Sequence, residues 1–195
     1  MIPTKKNRIF ILLLFPILFV NHCRAQGLLD GFMRGKGNLV TALSYSNESY
    51  DTYFVGDNKT QNPNLGTIKT NSFGIFVAGG VTDYLDVIVS APYISAKATQ
   101  GFMSDQDDFQ DIGLFVKGRF LNRSFENSAT LSLMAAGGIS TPLSDYIADF
   151  PVSIGNQSTQ WDGRLIAQYR FSQGIFVAAQ TGYIKRENVL SLIHI

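Results

Sequence analysis

Apolar and polar residues alternate with a period of two along most of this chain. The pattern is clearest between Phe73 and Tyr93. Phe73, Ile75, Val77, Gly79 and Val81 alternate with Gly74, Phe76, Ala78 and Gly80. After Thr82-Asp83-Tyr84, the residues Leu85, Val87, Val89, Ala91 and Tyr93 alternate with Asp86, Ile88, Ser90 and Pro92. Successive side chains of a β-strand point to opposite faces, so each limb predicts a strand with one apolar face and one small or polar face. Three linking residues suit a tight hairpin, and Asp83 tolerates a left-handed backbone. If Val81 opposes Leu85, then Val77 opposes Val89 and Phe73 opposes Tyr93, and both apolar sets share a face.

The rest of the chain repeats this unit. Further strands are predicted over Asn38–Ser46, Asp111–Leu121, Ser128–Thr141 and Gln160–Phe171, with a last one starting at Ile175. A short strand extension is expected around Tyr50–Val55. The connections alternate between long (47–67, 96–110, 142–158) and short (82–84, 122–127, 172–174). An up-and-down antiparallel meander gives that order, and membrane β-barrels have short turns at one end and longer loops at the other. The predicted strands also have about the 9–11 residues that a tilted strand needs to cross a bilayer. The expected fold is therefore all-β: an up-and-down transmembrane β-barrel with about seven strands present. Such barrels carry an even number of strands, so at least one further strand is expected. A soluble β-sandwich would show the same period, with more Lys, Glu and Thr on its second face.

The aromatic residues sharpen this reading. Tyr45, Tyr93, Trp161 and Tyr183 fall on the apolar face at the long-loop ends; Phe120 and Phe171 fall on it at the short-turn ends. Two aromatic girdles around an aliphatic band are expected where a barrel meets the two membrane interfaces. On the opposite, lumen-facing side, Asp86, Asp111, Lys117, Arg119, Asp162, Arg164 and Arg170 are the candidate lining residues of a solute path, with Phe115 and Phe176 beside them. Asp86 is expected to pair with Arg119 on the neighbouring strand. Such charges either line a path or satisfy one another and fill the lumen.

Composition adds location. Of 195 residues only 16% are charged, against about a quarter in ordinary soluble domains, and the net charge is +1. Nothing in that balance points to nucleic acid. Lys5, Lys6 and Arg8 precede the apolar run Ile9–Val20, which is shorter than the ~20 residues of a membrane helix. Cys23-Arg24-Ala25 then supplies small residues ahead of Gln26. This is the pattern of a cleaved signal peptide over residues 1–25; acylation of Cys23 is the weaker alternative. The barrel is expected over residues 26–189, in the outer membrane of a Gram-negative bacterium and in contact with its lipid. Residues 190–195, Leu-Ser-Leu-Ile-His-Ile, resemble translated sequencing-adapter read-through and are expected to be a non-native tail on a truncated chain.

The run Asp111-Ile112-Gly113-Leu114-Phe115-Val116-Lys117-Gly118-Arg119-Phe120-Leu121, with Val81-Thr82-Asp83-Tyr84-Leu85-Asp86-Val87 and Ala91-Pro92-Tyr93, resembles the MetA-pathway phenol-degradation family of outer-membrane β-barrel proteins. The resemblance covers Gly37 to Tyr183. It implies a barrel that passes small hydrophobic or aromatic molecules.

Catalytic chemistry finds little footing. The only cysteine and one of the two histidines lie in the expected leader, and the other histidine in the expected tail. Without a histidine base on any predicted strand, the chain is read as non-enzymatic, with no cofactor. Asp105, Asp107 and Asp108 lack the glycine-centred pattern of a calcium loop and read as a solvated loop, so no metal site is expected. The expected function is an outer-membrane channel or transporter for small hydrophobic or aromatic compounds. One alternative is a structural or adhesion barrel with a closed lumen; another is a secreted soluble β-sandwich that binds a ligand.

Overall fold

A computed structural model describes residues 29–55, 57–61, 64–101, 105–126, 128–148 and 152–187. The expected leader over 1–25 and tail over 190–195 lie outside them. The chain divides between Asp30 and Gly31, and the whole sheet belongs to the unit beginning at Gly31. The described residues are all β, with no helix.

Seven long strands follow one another in sequence and in space: β1 (Leu39–Tyr50), β4 (Ile68–Thr82), β5 (Leu85–Ala98), β7 (Asp111–Ser124), β8 (Thr130–Pro142), β9 (Gln160–Arg170) and β10 (Phe176–Arg186). Every neighbouring pair is antiparallel. Three short strands were not expected as separate elements. β2 (Thr52–Val55) and β3 (Asn58–Gln61) form their own hairpin, and β6 (Gln106–Phe109) pairs with the end of β5. The strands run longer than expected at the long-loop end: β1 continues to Tyr50 and β5 to Ala98. Ladder hydrogen bonds carry them past the point where apolar alternation fades.

Val77 opposes Val89 and Phe73 opposes Tyr93, as the alternation predicts. Val81 does not oppose Leu85. A bulge after Gly80 pairs Thr82 with Leu85, and Asp83-Tyr84 makes a two-residue turn. Asp83 keeps a negative φ; its side chain instead accepts a hydrogen bond from the Lys36 backbone N–H at 3.0 Å. A second bulge, at Phe120 on β7, leaves Phe120 and Leu121 both exposed.

The sheet is not closed. Among the described residues β1 pairs only with β4 and β10 only with β9, so each presents one edge without a described partner and is exposed along its length.

Two irregular segments lie on the face of the sheet that carries Asp86. Gly31–Gly37 runs as a strap across its short-turn end. Positive φ angles at Gly35 (77°) and Gly37 (76°) turn the strap into β1, and backbone bonds between Gly37, Asn38 and Gly80 fix the junction. At the other end the loop between β8 and β9 folds back. Its Tyr146, Val152 and Ile154 bury themselves against Leu65, Ile68 and Ala96 in one hydrophobic cluster. Gln106 holds this loop through its carboxamide, donating to the carbonyls of Ile147 and Val152 and accepting from the Ile147 N–H.

Candidate functional site

The two faces of the sheet differ in an unusual sense. The apolar face is the exposed one. Leu39, Leu43, Leu165 and Val177 on it are 57–68% exposed. The mixed face is the buried one: Asp86, Lys117, Phe115, Met134, Ile166 and Gln168 are all largely removed from solvent. That inner face is the candidate site.

All six expected girdle residues are exposed on the outer face. Tyr45, Trp161 and Tyr183 are more than half exposed, as is Phe120; Tyr93 and Phe171 are somewhat less so. The register extends one girdle beyond those six. Tyr45, Phe73, Tyr93 and Phe109 are consecutive partners across β1, β4, β5 and β6, a four-residue aromatic row at one height. Tyr93 meets Phe109 edge-on at 5.3 Å and donates its hydroxyl to Asp107. At the short-turn end Phe125, Tyr169 and Phe171 form a second aromatic group.

On the inner face one ladder row reads Gly80, Asp86, Lys117, Ala136, Arg164 and Gly182 across six strands. Long charged side chains lie between small ones, which leaves room for them on a crowded face. Asp86 and Lys117 form a salt bridge of 3.4 Å with both side chains fully buried. The strap adds hydrogen bonds to both. The Arg34 N–H donates to both Asp86 carboxylate oxygens at 3.2 Å, and the Lys117 ammonium donates to the Phe32 carbonyl at 2.5 Å. A buried ion pair needs such extra bonds, because desolvation otherwise cancels its attraction. Gly80 admits the strap: a Cβ there would overlap the Gly35 carbonyl oxygen.

The expected partner of Asp86 was Arg119, and the structure replaces it with Lys117. Arg119 lies beyond the Asp86–Lys117 rung, opposite the turn, where its guanidinium donates to the Asp83 carbonyl at 2.9 Å. The offset between β5 and β7 is set by ladder pairing across a long connection, which no turn length constrains.

The remaining candidates separate into local groups. Arg164 grips Asp162 two residues back on the same strand, with a shortest N···O distance of 2.6 Å. Asp111 accepts the Tyr146 hydroxyl at 2.6 Å, and that hydroxyl also receives the Gln157 N–H. Burial and the Asp111 carboxylate push the Tyr146 pKa well above the ordinary tyrosine value. Phe115 covers Gly138, where a Cβ would strike its ring. Phe176 stands edge-on to Phe32 of the strap, ring centres 4.9 Å apart. Arg119 and Arg170 face one cavity of about 250 Å³ at the short-turn end. Its floor is the row Asn122–Ser132–Gln168 on β7, β8 and β9, and Gly31, Phe32 and Met33 of the strap line it from the other side. Asn122, Gln168 and the strap were not among the expected site residues. Polar alternation on β9 was the available signal for Gln168; the strap carries none.

The acidic loop disperses. Asp105 pairs with Lys97 at 3.4 Å, Asp107 takes the Tyr93 hydroxyl, and Asp108 caps the Phe109 N–H. Among the described residues no three His, Cys, Asp or Glu side chains gather as metal ligands.

The structure thus defines an open antiparallel sheet with an apolar exposed face and a buried face that mixes charged, polar and apolar side chains. Compared with protein-family models, curated proteins and solved structures, the chain matches none.

Proposed function

We propose that this chain forms the wall of an outer-membrane β-barrel, exported by the leader expected over residues 1–25, that passes small hydrophobic or aromatic compounds without chemical change. The inversion of its two faces carries the reading. A soluble sandwich buries its apolar face; here Leu39, Leu43, Leu165 and Val177 are exposed while Asp86 and Lys117 are buried. Lipid is the solvent in which that distribution is favourable. The aromatic row Tyr45–Phe73–Tyr93–Phe109 and the Phe125–Tyr169–Phe171 group support it, since aromatic side chains concentrate at the two membrane interfaces. Unpaired strand edges are not tolerated in the hydrocarbon core, so on this reading β1 and β10 pair with further strands that complete the barrel. The resemblance carried by Asp111–Leu121 supports the choice of solute.

The strap and the β8–β9 loop favour a second reading, a barrel closed at rest that acts through its external loops. Each covers one end of the inner face.

Detergent extraction followed by electrophoresis of boiled and unboiled protein tests the barrel itself. A folded barrel shifts in mobility on heating; a protein that stays in the soluble fraction and shows no shift rejects both readings. Liposome swelling with small aromatic solutes then separates them. Swelling supports passage, and its absence supports the closed barrel.

A further inference from the structure

The cavity between the strap and strands β7–β9 has a donor-rich lining. Arg119 and Arg170 bring two guanidinium groups to it, and no carboxylate among the described residues lines it. Arg119 uses one Nη2 hydrogen on the Asp83 carbonyl, and Arg170 has no ion-pair partner among the described residues. Between them, Gln168 is only 7% exposed, and its Nε2 has no hydrogen-bond acceptor among the described residues. A buried donor without an acceptor is costly and rare in folded proteins. Two cations and an unsatisfied N–H around one space call for an acceptor that carries negative charge. The arginine fork matches the two oxygens of a carboxylate. The rest of the lining includes Phe32, Met33 and Met134, which would pack against an apolar body. At about 250 Å³ the space lies below the ~300–1,000 Å³ of pockets for drug-sized ligands, so its occupant is small.

We infer that this cavity is a binding site for a small organic carboxylate, held by Arg119 and Arg170 with Gln168 as a third donor. The inference stands on the inner face alone and needs no flux through the protein. The test uses the full chain, in detergent if it partitions there, titrated calorimetrically with benzoate, with benzamide as the neutral isostere and with inorganic phosphate. Benzoate is expected to bind and benzamide to bind at least tenfold more weakly. Arg170→Gln, at an exposed side chain, should weaken benzoate by about tenfold or more, the loss of one charge-assisted pair. Gln168→Glu should abolish it by placing a carboxylate beside the ligand. Arg123→Gln, on the outer face, should leave binding unchanged. Equal binding of benzoate and benzamide, phosphate binding more tightly than benzoate, or benzoate binding insensitive to Arg170→Gln would each overturn the assignment. Arg170→Gln decides the matter even if Gln168→Glu fails to fold.

Discussion

Asp86 and Lys117 are direct partners across β5 and β7, 3.4 Å apart, and neither side chain reaches solvent. The strap adds hydrogen bonds to both, from the Arg34 N–H to Asp86 and from the Lys117 ammonium to the Phe32 carbonyl. The pair therefore joins three pieces of chain that are far apart in sequence. Removing one partner strands the other charge, which costs about 3–5 kcal/mol in buried pairs. Lys117→Met should lose that much in a urea unfolding titration. The double variant Asp86→Leu/Lys117→Met should recover most of the loss, because a well-packed apolar pair is often neutral. A double variant no better than the single one would show that strap contacts, not the ion pair, dominate the site.

The strap depends on one missing Cβ. Gly80 faces the Gly35 carbonyl so closely that any side chain must displace the strap backbone. Gly80→Ala should release Gly31–Gly37 and expose the bonds after Arg34 and Lys36 to trypsin. Gly163→Ala is the control, since nothing lies within 4 Å of a Cβ at that position. Equal trypsin resistance in both variants would remove Gly80 from the account.

Tyr146 couples the β8–β9 loop to the sheet through Asp111 and Gln157. Its pKa is raised in the folded state, above the ordinary value of 10.0, so folding holds its proton more tightly. The stability it contributes is complete below pH 10 and is lost as pH climbs through the higher folded value. Tyr146→Phe should cost about 1–3 kcal/mol at pH 8, the penalty of leaving buried partners unsatisfied. The gap between the two proteins should narrow above pH 10, read as melting temperature against pH. A gap that stays constant to pH 12 would show that folding does not raise the Tyr146 pKa and that its hydroxyl contributes through hydrogen bonds insensitive to pH in this window.

Period-two alternation made the seven long strands and the two faces legible, because each strand has a distinct environment on either side. Val77–Val89 and Phe73–Tyr93 followed from the short turn between β4 and β5, which limits register to a few choices. Val81 escaped, since a bulge shifts register without altering composition. Asp86 was visible as a charge in an apolar strand, yet its partner was not. β5 and β7 are joined through β6 and a long connection, so pairing decides between Lys117 and Arg119. The strap was illegible for a different reason. It binds through the Arg34 N–H and the Phe32 carbonyl, backbone groups that nearly every residue type supplies. Gln168 was readable as an inner-face polar residue, but its missing acceptor appears only once Gly31–Met33 lies beside it.

The exposed apolar face gives the sharpest test of the surrounding solvent. Leu165 stands in the outer face of β9, between Trp161 and Tyr169 along the strand, and is 57% exposed. In water, a surface Leu→Arg change away from special features stays within about 0.5 kcal/mol either way. In lipid, an arginine on the outward face of a barrel costs about 2–4 kcal/mol near the midplane and little near the interfaces. Leu165→Arg should therefore destabilise the protein by about 2–4 kcal/mol when it is folded into vesicles. An arginine within the girdle, by Tyr183→Arg, should cost under about 1 kcal/mol. That dependence on height along the strand belongs to a bilayer and to no aqueous surface. If Leu165→Arg and Tyr183→Arg are equally mild, the exposed face meets water or another protein, and the barrel reading fails at its main support.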